Sequence, residues 1–278
     1  MISMRAPFQY AVFDWIGDDR PGSGGYDLIR QAGFDGVMLW WGEDILALPP
    51  RDKGSFPEQA RKAGLSVVNA HGPMPDVNAL WRQGLAGDGI LDMFLRCVDD
   101  CADFQISSLV VHASTGFAPP EPCETGLERI KRLVHHGEKR GVTLSFENLR
   151  NTAPLRYILD RIVSPRAGFC YDVGHEHCRT PEEDLLAEYG HRLTDIHLHD
   201  NAGMVNRDGA DDQHRLPFDG TVDWARAAKS LARLDYGGPL AFEVTTLGHE
   251  DMAVDAFLRL AFERAVRVGD KIEAAAHA

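Results

Sequence analysis

Six successive apolar runs in this chain end in residues that handle protons or hold metals. They close in Asn69-Ala70-His71-Gly72-Pro73, Val110-Val111-His112, Ser145-Phe146-Glu147-Asn148, Tyr171-Asp172-Val173-Gly174-His175, Ile196-His197-Leu198-His199-Asp200-Asn201 and Ala241-Phe242-Glu243-Val244. A lone histidine or glutamate at such a place is ordinarily a satisfied surface or core residue. Six in succession ask for a common cause. If the fold gathers these ends, Glu147, Asp172 and Glu243 become neighbouring carboxylates. Buried carboxylates held close together repel unless a cation neutralises them. An imidazole from His197 would complete a mixed nitrogen and oxygen donor set suited to Mn²⁺, Co²⁺, Zn²⁺ or Mg²⁺.

The ends meet only if the runs are parallel strands around one axis. Eight runs of β-formers are present: Tyr10–Asp14, Gly36–Leu39, Ser66–Ala70, Ser108–His112, Thr143–Glu147, Gly168–Asp172, Asp195–His199 and Pro239–Val244. Most are continuously apolar, as expected for strands covered on both faces. Helix-period stretches separate them. Gly126–Arg140 puts Leu127, Ile130, Leu133 and Val134 on one face, the pattern of a helix packed on a sheet. Thr180-Pro181-Glu182-Glu183 predicts a helix start, with Thr180 as N-cap, Pro181 at N1 and Glu183 completing a capping box. Gly33, Gly64 and Gly141 sit where helices should stop before the next strand. No linker or low-complexity stretch divides the chain. The expectation is a single (β/α)8 TIM barrel over residues 1–278, loose only from about Glu273, with its chemistry at the C-terminal ends of the strands.

Composition narrows the functional classes. A hydrophobic fraction of 44% over 278 residues is ample for a large core. No stretch reaches the roughly 20 apolar residues of a membrane span. The start carries no charged segment followed by an apolar run, so the expected location is the cytoplasm. A formal net charge of −13 disfavours a nucleic-acid surface, which needs a basic stripe. Cys97, Cys101, Cys123, Cys170 and Cys178 form no CxxC pair and are expected as reduced thiols.

With these residues in view, the chain resembles the xylose isomerase-like superfamily of metal-dependent barrels, which includes ketose 3-epimerases, hydroxypyruvate isomerase and endonuclease IV. The resemblance rests on Glu147-Asn148, Asp172-x-x-His175, His197-x-His199-Asp200 and Phe242-Glu243. It implies that Glu147, Asp172, His197 and Glu243 are the metal ligands. His197 and His199 point to the same side of a strand; His197 is preferred because the family's ligand commonly stands three residues before an aspartate, here Asp200. The resemblance further implies that Glu147 and Glu243 carry protons. An open-chain sugar or sugar derivative would be isomerised or epimerised by proton transfer through a metal-bound enediolate.

His71, His112, His175, His199, Trp40 and Arg215 are expected around the substrate, with Trp15 and Trp41 as further aromatic candidates. His135 and His136, mid-helix, are expected at the surface. Two other reactions use the same ligands. One is a dehydratase or lyase acting on a sugar or cyclitol. The other is an endonuclease of the endonuclease IV type, in which three zinc ions would take His71, His112, Glu147, Asp172, His175, His197, Asp212, His214 and Glu243; Asp212 and His214 are thus possible additional metal ligands. No Gly-rich phosphate cradle follows the last two runs. A homodimer or homotetramer is what the resemblance suggests.

Overall fold

The computed structural model describes residues 8–14, 25–234 and 236–277. Its eight strands are β1 (Tyr10–Phe13), β2 (Gly36–Trp40), β3 (Ser66–His71), β4 (Ser108–Val111), β5 (Thr143–Glu147), β6 (Ala167–Asp172), β7 (Leu193–His197) and β8 (Leu240–Phe242). They form one sheet in the order β7-β6-β5-β4-β3-β2-β1-β8, with parallel pairing throughout. The ring closes just beyond β7, where Leu198 bridges Phe242 in parallel. This is the barrel the sequence predicts.

Among the described residues ten α-helices lie between and after the strands: α1 (Gly25–Ala32), α2 (Glu43–Leu46), α3 (Pro50–Lys62), α4 (Leu85–Asp103), α5 (Glu124–Arg140), α6 (Ala153–Leu159), α7 (Val173–Arg179), α8 (Leu185–Tyr189), α9 (Trp224–Leu231) and α10 (Val254–Ala276). The main core lies between strands and helices, where outward strand residues such as Val37, Leu109, Phe146, Phe169 and Ile196 meet Phe94, Ile130 and Leu133. The barrel interior is different. Ala11, Phe13, Met38 and Ala241 form a small apolar group there. Beside it Asn69 and Ser108 donate to the buried Asp195 at 2.7 and 2.6 Å, which satisfies that carboxylate.

Gly33, Gly64 and Gly141 all have positive φ, as a helix stop before a strand requires. Two expectations change. The helix foreseen at Thr180 begins only at Leu185, with Asp184 as the cap that accepts from Ala187 N. The reason is long-range: Glu183 is drawn into an ion pair with Arg156 at 2.9 Å and accepts from Thr152, so it cannot close a capping box. The segment from Glu273, foreseen as loose, continues α10 to Ala276, as its alanines favour and the buried Ile272 anchors. The cysteines are free thiols, four buried and Cys123 half-buried. Among the described residues no helix is long and apolar enough to cross a membrane.

Candidate active site

Each strand end delivers its side chain by the period-two rule, and one irregularity sets the alignment. The β6–β7 register shifts, pairing Phe169 with Leu193 but Cys170 with Asp195 and Asp172 with His197. Such a bulge inserts one residue and resets which side chains face inward. Here it turns Asp195, His197 and His199 to the interior and Ile196 and Leu198 to the helices. Asn148 then fixes β5 to β6, its amide accepting from Asp172 N at 2.7 Å and donating to Asp172 O at 2.8 Å. Asp172 also caps α7, accepting from His175 N at 2.7 Å. That cap starts the helix at the strand end and places His175 on the same rim. Gly174 is required there: a Cβ at that position would sit 1.9 Å from the His199 ring.

Two donor groups result. In the first, Glu147, Asp172, His197 and Glu243 offer atoms all within 4.8 Å of one another. His197 Nδ1 lies 2.8 Å from Glu243 Oε2, 3.6 Å from Glu147 Oε1 and 3.9 Å from Asp172 Oδ2. In the second, His175, His199, Asp212 and His214 meet the same limit, with the His199 and His214 rings stacked at 4.1 Å. His71 and His112 join the first group through Glu147 Oε2, at 3.5 and 3.0 Å.

Ring orientation is informative. Nδ1 of His71, His175 and His214 each faces a backbone carbonyl, of Gly72, Asn148 and Glu243, at 3.0, 2.9 and 3.0 Å. A carbonyl only accepts, so Nδ1 carries a proton, and in the neutral ring Nε2 presents a lone pair. Those Nε2 atoms face carboxylate oxygens: Glu147 Oε2 for His71, Asp212 Oδ2 for His175 at 3.0 Å and Asp212 Oδ1 for His214 at 3.2 Å. A lone pair against a carboxylate is repulsive unless a proton or a cation lies between. Carbonyl-tied histidines of this kind are how metal ligands are held.

The electrostatics agree. Burial would push the Glu147 carboxyl up, but the His112 and His197 imidazoles hold it well below the usual carboxylate range. Glu243 is buried too, and His197 and His214 hold it far down. Burial opposes charge on His175, yet Asp172 and Asp212 raise it well above the usual histidine range; His214 is raised to about 9 by Glu243 and Asp212 against the same burial effect. In the protein alone, protons do the work a cation would do. Glu147 Oε1, both ring nitrogens of His197, His199 Nδ1 and Asp212 Oδ1 are buried without a well-aligned hydrogen bond, although ionic neighbours approach several of them closely. Buried orphans of this kind call for a missing partner, and the mixed imidazole and carboxylate set fits a divalent metal.

The structure thus brings together Glu147, Asp172, His197, Glu243, His71, His112, His175, His199, Asp212 and His214. His199 is fully buried and stands in the second group, behind Asp172 at 3.0 Å. Trp40 reaches the rim, its indole stacked on His71 at 5.7 Å, while Trp41 is buried and donates to Asp100. Trp15 lies outside the described residues. Arg215 donates to Asp219 O and pairs through its backbone with Asp200. His135 is exposed, and His136 pairs with Asp99 at 2.8 Å. Sequence reasoning missed Cys170, which groups with Glu147 and His197; its position two residues before Asp172 on one strand was the available signal. It also missed that Asp200 organises the following loop, accepting from Phe218 N, Val222 N and Trp224 Nε1.

Fold and donor set together define a barrel that gathers carboxylates and imidazoles able to hold a metal ion at its C-terminal mouth. The chain belongs to the xylose isomerase-like TIM barrel family, whose profile matches residues 26–262. It is 31% identical over 147 residues to an uncharacterized protein of Sinorhizobium fredii, a match that spans 50% of this chain and 45% of that protein. It is 22% identical over 234 residues to a fructoselysine 3-epimerase of Shigella flexneri, covering 78% of this chain and 83% of the relative. In fold it is similar to the structure of an L-ribulose 3-epimerase, with a TM-score of 0.74 at 14% identity, over 97% of this chain and 96% of that one.

Proposed function

We propose that this protein is a metal-dependent isomerase or epimerase acting on an open-chain sugar or sugar derivative. The observation that carries the reading is the placement of two ionised glutamates, Glu147 and Glu243, around His197 within one four-donor group. Glu147, Asp172, His197 and Glu243 would hold the divalent cation, with Mn²⁺, Co²⁺, Mg²⁺ and Zn²⁺ all chemically suitable. When bound, the cation supplies Lewis-acid polarisation of a carbonyl. One of the two glutamates removes the proton from the carbon beside that carbonyl and, now protonated, returns it to the neighbouring carbon for isomerisation; for epimerisation the other, after taking a proton from solvent, delivers that proton to the opposite face. Their imidazole neighbours keep both in the basic form that abstraction needs. Trp40, on the His71 side, offers an aromatic face to the apolar side of a sugar. The epimerase names of relatives that share this fold support the reading.

The test is exchange. Metal-loaded protein incubated with ketoses in heavy water should place deuterium at a carbon next to the carbonyl and yield a new epimer. No incorporation into any ketose, with metal content verified, would overturn it. A new enone absorbance would instead mark loss of water and a lyase. A second reading has one specific support: the residues expected to hold three zinc ions in an endonuclease do gather in contiguous groups. Cleavage of an abasic-site duplex by the zinc-loaded protein would establish it.

A further inference from the structure

Beyond the donor groups, the connection after β5 carries a guanidinium that no acid among the described residues neutralises. Arg150 follows Glu147 by three residues and is half-buried. Its Nε is buried without a hydrogen-bond partner, and among the described residues it makes no hydrogen bond or ion pair. What it does contact is the ring of Phe117, with its guanidinium carbon 5.5 Å from the centroid. Arg179 lies over the same ring at 5.4 Å. Its side chain is wholly buried and committed, donating to the Asp208 and Gly209 carbonyls and lying 3.9 Å from Asp212. Nearby acids are engaged elsewhere: Asp208 caps Ala210 N, and Asp211 accepts from Asn206 N and Arg207 N.

Two guanidinium groups on one ring repel, and a chain of net charge −13 has acids to spare for pairing them. Arg150, unpaired among the described residues and sharing the Phe117 ring with the Arg179 that approaches Asp212, makes a local cationic spot on an acidic protein. A planar fork backed by an aromatic ring is suited to bidentate capture of an oxyanion. Phe117, exposed in the connection after β4, lies within cation–π range of the guanidinium and attracts it without neutralising its charge.

We infer that Arg150, backed by Phe117 and with Arg179 beneath, is a subsite for an anionic substituent of the substrate, a carboxylate or a phosphate. The substrate is then a sugar acid or sugar phosphate that lies across the mouth. Its reacting carbonyl is at Glu147 and Glu243, its neutral part toward Trp40 and its charged end at Arg150. This assignment rests on the proposed sugar chemistry for its substrate class, and on the side-chain geometry alone for its charge.

Calorimetric titration of metal-loaded protein tests it, with D-fructose, D-fructose 6-phosphate and D-gluconate as probes. At least one anionic probe should bind about tenfold or more tightly than fructose, the range expected of a charge-assisted contact. Whichever anion is preferred identifies the group. Arg150→Gln should abolish that preference with metal content and circular dichroism unchanged, Arg150→Lys should keep part of it, and Phe117→Ala should weaken it without touching the charge. Equal binding of charged and neutral probes by the wild type, or a preference that survives Arg150→Gln, would overturn the subsite. So would tight Arg150-dependent binding of an abasic duplex with no binding of either sugar anion. The two readings fail separately. An Arg150-dependent anion preference without deuterium exchange in any ketose sustains the subsite and removes the epimerase; exchange without the preference does the reverse.

Discussion

The two ends of the barrel differ in a way that locates the chemistry. At the N-terminal end of β6 and β7 lies a depression of ≈ 820 Å³ lined by residues that include Leu159, Val163, Ala167, Tyr189, Arg192 and Thr194. Several of its polar groups are engaged by the protein: Arg192 donates to the Leu159 and Ala167 carbonyls, and Tyr189 donates to Asp160 at 2.7 Å. The C-terminal mouth holds the opposite arrangement, with carboxylates and imidazoles crowded together and several of their atoms buried without an aligned hydrogen bond. A hollow whose arginine and tyrosine donors are already matched gathers no reactive groups. Unpaired buried groups mark the working end of a molecule better than open volume does.

That contrast can be broken experimentally. The largest effect is expected at the mouth: Glu147→Gln or Glu243→Gln should each lower turnover by about 10²–10⁴-fold, the usual contribution of a positioned acid or base. Near wild-type rates in either variant, with metal retained, would remove that glutamate from proton transfer. Chelation comes next. Returning a divalent metal at roughly 100 times its Kd should stabilise the stripped protein by about 2.7 kcal/mol, seen by calorimetry as a rise in Tm of roughly 5 °C; an unmoved Tm would mean that the mouth binds no metal. Gly174→Ala is smaller, about 1–3 kcal/mol of overpacking, because its methyl group collides with His199. The metal bound per chain should fall as the His199–His214 stack is displaced, and unchanged stoichiometry would show that the second group holds none. The smallest effect belongs to the other end. Val163, 98% exposed, should tolerate Val163→Ser within about 0.5 kcal/mol with activity intact, and a loss of turnover there would undo the contrast between the two ends.

How much of this could be read from sequence depends on the range of the interactions. The barrel was legible because each β-run is local and ends at a residue of distinct chemistry. Glu147, Asp172, His197 and Glu243 therefore came from the strand ends and a family resemblance. The His197 and His199 roles were less legible, since both face inward and only the bulge against β6 sets His197 opposite Asp172. Thr180 misled because a capping box is a local signal, while the Arg156 side chain that captures Glu183 comes from α6. Arg150 and Phe117 gave no signal at all. Their partnership spans two separate strand–helix connections and obeys no period.

The most direct test of the cation site is anomalous diffraction from crystals grown with Mn²⁺, Co²⁺ or Zn²⁺, collected at each metal's absorption edge. A peak bonded at about 2.0–2.3 Å to Glu147, Asp172, His197 and Glu243 is the expected result. Full-occupancy metal elsewhere, with these four side chains unliganded or turned apart, would contradict it.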